Sequence, residues 1–179
     1  MTTTYVAMWS GPRNISTAMM RSWGNRADTF VVDEPLYAHY LQQTGLDHPG
    51  ADEVMAAHNC DWRGVVEQIT TPPPSGETVF YQKHMTHHLL PNISQDWLPR
   101  LSNAFLIRDP KDMLLSLDIK LEQFTIEETG LPQQLAIFAK VRDLTGKIPP
   151  VVDSRDILND PAGILAKLCE ALGLSFDAN

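Results

Sequence analysis

The feature that most constrains this chain is its alternation of short apolar runs with helix-type patterns. Tyr5–Trp9, Thr29–Asp33, Thr78–Lys83, Asn103–Ile107 and Val151–Asp153 read as strands. Between the first two lies a helix over Ile15–Asn25, in which Ile15, Met19 and Trp23 recur every four residues. Residues 36–70 read as helix in pieces, broken around His48-Pro49-Gly50. Asp109-Pro110 opens the next helix, with Asp at the N-cap and Pro in the first position. A helix over Pro132–Thr145 is expected to turn Leu135, Phe138 and Val141 to the core, with Gly146 past its end. Asp160-Pro161 starts the last one, striped by Ile164, Leu165, Leu168 and Leu172 and ended by Gly173. Strands and helices in this alternation predict a three-layer α/β/α fold around a mostly parallel sheet covered on both faces.

Charge and cysteine content narrow the function classes. Acids outnumber bases 22 to 14 in the 179 residues, a net charge of −8. That excludes a general nucleic-acid coat, which needs a basic surface, but leaves room for one basic pocket. The basic pocket has a natural place, because residues 1–27 carry Arg13, Arg21 and Arg26 and no acid. Two cysteines, Cys60 and Cys169, are too few for a disulfide framework and match no zinc spacing. No run approaches the roughly 18 apolar residues of a membrane span, and the N-terminus has no secretory pattern. A cytoplasmic protein with reduced thiols and no membrane partner is the expectation.

In a parallel sheet, ligands gather at the carboxyl ends of the strands. Ser10-Gly11-Pro12-Arg13-Asn14-Ile15-Ser16-Thr17 follows the first strand and leads into a helix. Strand, tight turn and helix start make an anion site of backbone N–H groups, hydroxyls and one guanidinium. It is not a Walker A loop, since it lacks the second Gly and the Lys before Ser16-Thr17. Asp33, at a strand end, keeps open an alternative: a small-molecule kinase using Mg²⁺.

After the fourth strand comes Ile107-Arg108-Asp109-Pro110-Lys111-Asp112-Met113-Leu114-Leu115-Ser116. Here the chain resembles the sulfotransferases of the P-loop-related fold, and a little-characterised sulfotransferase-like subgroup among them. In that family an Arg- or Lys-, Ser- and Thr-rich loop holds the 5′-phosphosulfate of 3′-phosphoadenosine 5′-phosphosulfate, and Pro12–Thr17 resembles it. A motif R-[DN]-P-x-D-x-x-x-S supplies Arg and Ser to the 3′-phosphate, and Arg108 to Ser116 matches it. A third likeness runs from Val151-Val152-Asp153 through Asp160-Pro161 to Leu172-Gly173-Leu174.

The resemblance implies transfer of a sulfuryl group from that nucleotide to a small hydroxyl or amine acceptor, with no metal required. It implies nucleotide contacts from Gly11, Pro12, Arg13, Asn14, Ile15, Ser16, Thr17, Arg108 and Ser116. Arg13 stands where the family commonly has Lys and is expected to stabilise the leaving phosphate. Ile15 stands where the family commonly has Gly. Glu34 and the Lys83-His84 pair follow the second and third strands and are the catalytic candidates, with either Glu34 or His84 as base. Tyr37 and Tyr40 are candidates for the acceptor pocket as well as for the core. His84, His87 and His88 read as cleft or helix-start residues rather than metal ligands. One domain over 1–179 is implied, without the R-K-G-x-x-G-type segment that closes over the nucleotide in the family. Ile15 and that missing segment keep a further alternative, a non-catalytic nucleotide-binding module of the same fold.

Overall fold

The structure, a computed structural model, describes residues 2–118 and 125–178. Its sheet contains β1 (Thr4–Ser10), β2 (Thr29–Asp33), β3 (Val79–Met85), β4 (Ser102–Ile107) and β5 (Val151–Asp153). The strand order is β2-β3-β1-β4-β5 and every neighbouring pair is parallel. The helices are α1 (Ser16–Gly24), α2 (Tyr37–Thr44), α3 (Ala51–Ala57), α4 (Trp62–Ile69), α5 (Pro110–Asp118), α6 (Leu131–Thr145), α7 (Ser154–Asn159) and α8 (Pro161–Ala171).

The pleat of β1 divides the core in two. Val6 and Met8 pack with Met19 and Trp23 of α1, Ile157 of α7 and Leu168 of α8. Ala7 and Trp9 pack on the other face with Val65 and Ile69 of α4, Ile137 and Val141 of α6, and Trp97. Successive side chains of a strand point to opposite faces, so one apolar run serves both helical layers. The expected three-layer α/β/α fold is the observed one.

The inner face of α6 differs from expectation. Gln134, Ile137 and Val141 are its buried residues, whereas Leu135 is 71% exposed. Gln134 takes the inward place because its Nε2 donates to the main-chain oxygens of Trp9 (3.3 Å) and Leu106 (3.0 Å). That amide ties the start of α6 across the ends of β1 and β4.

Strand β3 has neighbours on both sides and all seven of its residues are buried. Such a strand is usually apolar throughout, yet it carries Gln82-Lys83-His84. Each polar group there is costly to bury without a partner. Gln82 donates to the Ile69 carbonyl at 2.6 Å and faces His84 Nε2 at 3.1 Å. Lys83 turns the other way, toward the end of β2. A local break of the sequence rule inside a core strand marks a place shaped by something other than stability.

Candidate active site

β1 is the strand at which the chain switches direction across the sheet: β3 lies on one side of it and β4 on the other. The crevice beyond such a strand is where open parallel sheets bind ligands. The loop Gly11–Ile15 fills it. Gly11 is buried, and a Cβ there would lie 2.9 Å from the Thr129 main-chain oxygen. Asn14 Nδ2 donates to the Leu106 carbonyl at 3.2 Å, and Asn14 Oδ1 accepts the Ile15 N–H at 2.9 Å. The loop is thus tied to β4 on one side and to the turn before α6 on the other.

Ile15 is the N-cap of α1 and makes no side-chain cap bond, and no acid stands in the first turn. An apolar N-cap leaves first-turn N–H groups without the side-chain acceptor that Ser, Asp or Asn would supply. Donors left open beside exposed Thr17 and largely buried Ser16 suit an anion. The Ile15 N–H itself is taken by Asn14.

Arg13 has φ +56° and Glu34 φ +45°; among the described residues they are the only non-glycine positions with positive φ. Backbone in this region costs of order 1 kcal/mol or more and persists only where surroundings impose it. At Arg13 the imposing groups come from the residue that follows β4 and from α5. Arg108 Nη1 donates to the Arg13 carbonyl, and Arg13 Nε donates to Ser116 Oγ at 2.9 Å. Three residues expected at the nucleotide, 95 and 103 positions apart, therefore form one bonded group.

At Glu34 the imposing residue is Lys83. The Lys83 carbonyl accepts the Glu34 N–H at 2.9 Å, and Lys83 Nζ lies 2.5 Å from Glu34 Oε1 and 2.7 Å from Asp33 Oδ1. The Lys83 side chain is 4% exposed. Burial opposes its charge, but hydrogen bonds to Asp33 and Glu34 outweigh that and raise its pKa above the ordinary lysine value.

His84 does not join this group. It is buried on the opposite face of β3, stacked on Trp9 at 4.3 Å between ring centroids. Burial pushes its pKa down to about 3. His84 lies within β3, whereas His88 lies in the 3₁₀ turn Thr86–His88. No group of three or more His, Cys, Asp or Glu placed for a metal occurs among the described residues.

His88 is a site neighbour that strand position alone did not single out. Its Nδ1 lies 3.9 Å from Glu34 Oε2 and is a buried atom without a hydrogen-bond partner. Its ring stacks on Tyr37 (4.9 Å) and leans on Tyr40 (4.7 Å). Burial, with the charged ammonium of Lys83 nearby, holds its pKa well below the usual histidine value, so the ring is neutral. His87 stands edge-on to Tyr40, its pKa lowered to about 4 by burial against the opposing pull of Glu128. The signal for this pair was the His-His dipeptide in the turn that follows a strand end.

Comparison with known proteins bears on the fold and the family. A profile of the family described as "Sulfotransferase domain" matches residues 4–179. "Branched-chain-amino-acid aminotransferase-like protein 1" of Arabidopsis thaliana is 35% identical over 172 residues, which is 96% of this chain and 30% of that protein. The chain thus spans about 30% of the length of the curated relatives it matches. Among solved structures, a sulfotransferase from Alicyclobacillus acidocaldarius superposes with a TM-score of 0.61 at 13% identity, over 98% of this chain and 83% of that one. Mouse sulfotransferase SULT7A1 complexed with PAP gives 0.52 at 12% identity, over 96% of this chain and 59% of that one. These two likenesses show the fold, and the profile match over nearly the whole chain shows the family: this protein belongs to the sulfotransferase-domain family.

Proposed function

We propose that the chain transfers a sulfuryl group from 3′-phosphoadenosine 5′-phosphosulfate to a small hydroxyl or amine acceptor. The observation that carries this reading is the bonded group Arg13–Arg108–Ser116 at the carboxyl ends of β1 and β4. It gathers two guanidiniums and a hydroxyl beside the open N-terminus of α1, in a protein whose net charge is −8. Two anionic groups of one ligand fit there: the 5′-phosphosulfate over Gly11–Thr17 and the 3′-phosphate on Arg108 and Ser116. That PAP accompanies the mouse relative is consistent with such a ligand.

In the reaction, the acceptor oxygen or nitrogen forms a bond to sulfur as the bond from sulfur to the bridging phosphate oxygen breaks. The electron pair stays on that phosphate oxygen, and Arg13 stabilises the charge that grows there. The acceptor's proton goes to Glu34, which keeps a quarter of its side chain open. Lys83 orients Glu34 from beneath. Neutral His88, with Tyr37 and Tyr40, forms the acceptor wall. Products are the sulfated acceptor and the adenosine 3′,5′-bisphosphate.

The test is calorimetric titration with adenosine 3′,5′-bisphosphate in metal-free buffer, beside ATP with and without Mg²⁺. The expected result is selective binding of the bisphosphate, weakened by roughly 1.5–3 kcal/mol in Arg108→Ala, the scale of a charged hydrogen bond. Binding of ATP only with Mg²⁺, and not of the bisphosphate, would transfer the site to a kinase.

A further inference from the structure

His88 is held more firmly than a wall residue needs. Its ring lies flat on Tyr37, with 4.9 Å between centroids and 17° between planes. It leans on Tyr40 at 4.7 Å and meets His87 edge-on at 4.4 Å. Tyr37 is itself anchored outward, its hydroxyl 2.8 Å from His48 Nδ1. The His88 side chain is 4% exposed, and the packed rings keep its Nδ1 beside Glu34 Oε2, 3.9 Å away.

That nitrogen is buried and has no hydrogen-bond partner. The other carboxylate oxygen, Glu34 Oε1, is taken by Lys83. A separation of 3.9 Å is too long for a direct bond and leaves room for one bridging atom. The neutral ring carries a single N–H, on Nδ1 or on Nε2. A carboxylate oxygen facing Nδ1 sets the tautomer, because the proton is attracted to the side where the negative charge lies. The gap is thus bounded by a donor, His88 Nδ1–H, and an acceptor, Glu34 Oε2. The atom that satisfies both must accept one hydrogen bond and donate another. A hydroxyl does this, whereas an ammonium only donates.

We propose that His88 selects a hydroxyl, and not an amine, as the acceptor group, by donating its Nδ1–H to the acceptor oxygen while Glu34 takes that oxygen's proton. This rests on the sulfuryl-transfer reading above. The hydroxyl oxygen has two lone pairs. One accepts from His88, and the other forms the bond to sulfur as the bond from sulfur to the bridging phosphate oxygen breaks. The electron pair of the broken bond leaves with the phosphate. The O–H proton passes to Glu34 Oε2, and His88 transfers none. A neutral amine has one lone pair. Directed at sulfur, it leaves the His88 N–H buried without an acceptor, which is costly. Directed at His88, it is not available to sulfur.

Two measurements on the chain loaded with adenosine 3′,5′-bisphosphate test this. Long-range ¹H–¹⁵N correlation reads which ring nitrogen of His88 carries the proton, with His88→Gln identifying the signal by its loss. A protonated Nδ1 is expected, and a proton on Nε2 alone overturns the proposal. Affinities are then taken by NMR titration for 2-phenylethanol and 2-phenylethylamine, which share a skeleton and differ in the acceptor group. His88→Phe keeps a ring against Tyr37 and removes the N–H. It should weaken the alcohol about tenfold, the scale of one buried hydrogen bond, and leave the amine unchanged. His88→Gln restores a donor through its amide and should recover part of the loss, which a purely packing role would not do. An equal loss for both probes, or none for the alcohol, overturns the selection by His88. Failure of the loaded wild-type chain to bind the alcohol overturns it too and leaves the nucleotide site standing. Absence of bisphosphate binding overturns the sulfuryl-transfer reading itself, and this proposal with it.

Discussion

Glu34 is held twice by one residue: the Lys83 carbonyl accepts its N–H at 2.9 Å, and the Lys83 ammonium meets its carboxylate at 2.5 Å. The first contact belongs to the backbone and the second to the side chain. The next residue is Pro35, before which an extended backbone is the usual choice, so the left-handed conformation of Glu34 depends on this double hold.

Replacing Lys83 by Met removes the ammonium and leaves two carboxylates facing each other. Asp33 is half exposed, so the cost is discounted from that of a fully buried pair to about 1–2 kcal/mol. The folded-state pKa of Lys83 lies above the unfolded value of 10.5, so its contribution is complete below pH 10.5 and lost as pH rises through the folded value. Urea denaturation of the wild type and Lys83→Met should show a constant gap from pH 6 to pH 9 that narrows only in strong alkali.

Acid should destabilise this fold well before its carboxylates titrate. An unfolded histidine binds a proton near pH 6.5, whereas His84 does so only near 3 and His87 near 4. Between those values the unfolded chain holds more protons, so stability falls as pH falls. Each such ring contributes a slope of roughly 1.4 kcal/mol per pH unit. His84→Phe preserves the stack on Trp9 and should remove one proton's worth of that slope between pH 6 and pH 4, as read by denaturant midpoints.

Arg13→Gly separates stability from binding. Glycine adopts φ +56° without strain, and the bonds lost from Arg13 are exposed ones. The melting temperature should hold or rise, by up to about 1 kcal/mol in stability. Bisphosphate affinity should fall at least tenfold, by the ordinary worth of one charge-assisted hydrogen bond. A variant that both melts earlier and binds normally would contradict the role given to this residue.

Gly130→Ala tests the turn that leans on the Gly11–Ile15 loop. Gly130 has φ +69°, and a Cβ there would come within 2.6 Å of Thr86 Oγ1, which donates to the Gly130 carbonyl at 2.8 Å. Strain and overpacking together should cost about 2–4 kcal/mol, visible as a drop in melting temperature of several degrees.

Much of this was legible in the order of residues. β2 and β5 have the bounds that their apolar runs suggest, because a short run closed by Pro35 or by a cap residue leaves little freedom. The junction of β1, the Gly11–Ile15 loop and α1 was legible because strand, turn and helix start are contiguous. Arg108 and Ser116, which the family motif singles out, do lie bonded to Arg13 of that loop. The face of α6 was not: Leu135 looks like a core residue, but Gln134 wins the inward place by capping two strand-end carbonyls that no local pattern reveals. His84 was ambiguous for a related reason. Alternation says that Lys83 and His84 point apart, yet only the packing of Trp9 and Trp97 around His84 shows that Lys83, and not His84, turns toward Glu34. Tyr37, Tyr40 and His88 meet by way of α2 and the turn after β3, a tertiary contact without a sequence signature.

The order β2-β3-β1-β4-β5 also sets the pace at which this molecule is made. Thr4 must find Val79, and Val6 must find Ser102, before the central strand has a neighbour on either side. Loops of that size close at an entropic cost before any pairing rewards them, so collapse should run ahead of correct pairing and refolding should be slow for the size of the chain. Until β4 docks, Arg108 cannot reach Arg13, and the proposed anion site is incomplete. A bisphosphate present during refolding would therefore leave the early steps unchanged and act only on the last one, drawing the finished sheet out of a population of incomplete ones.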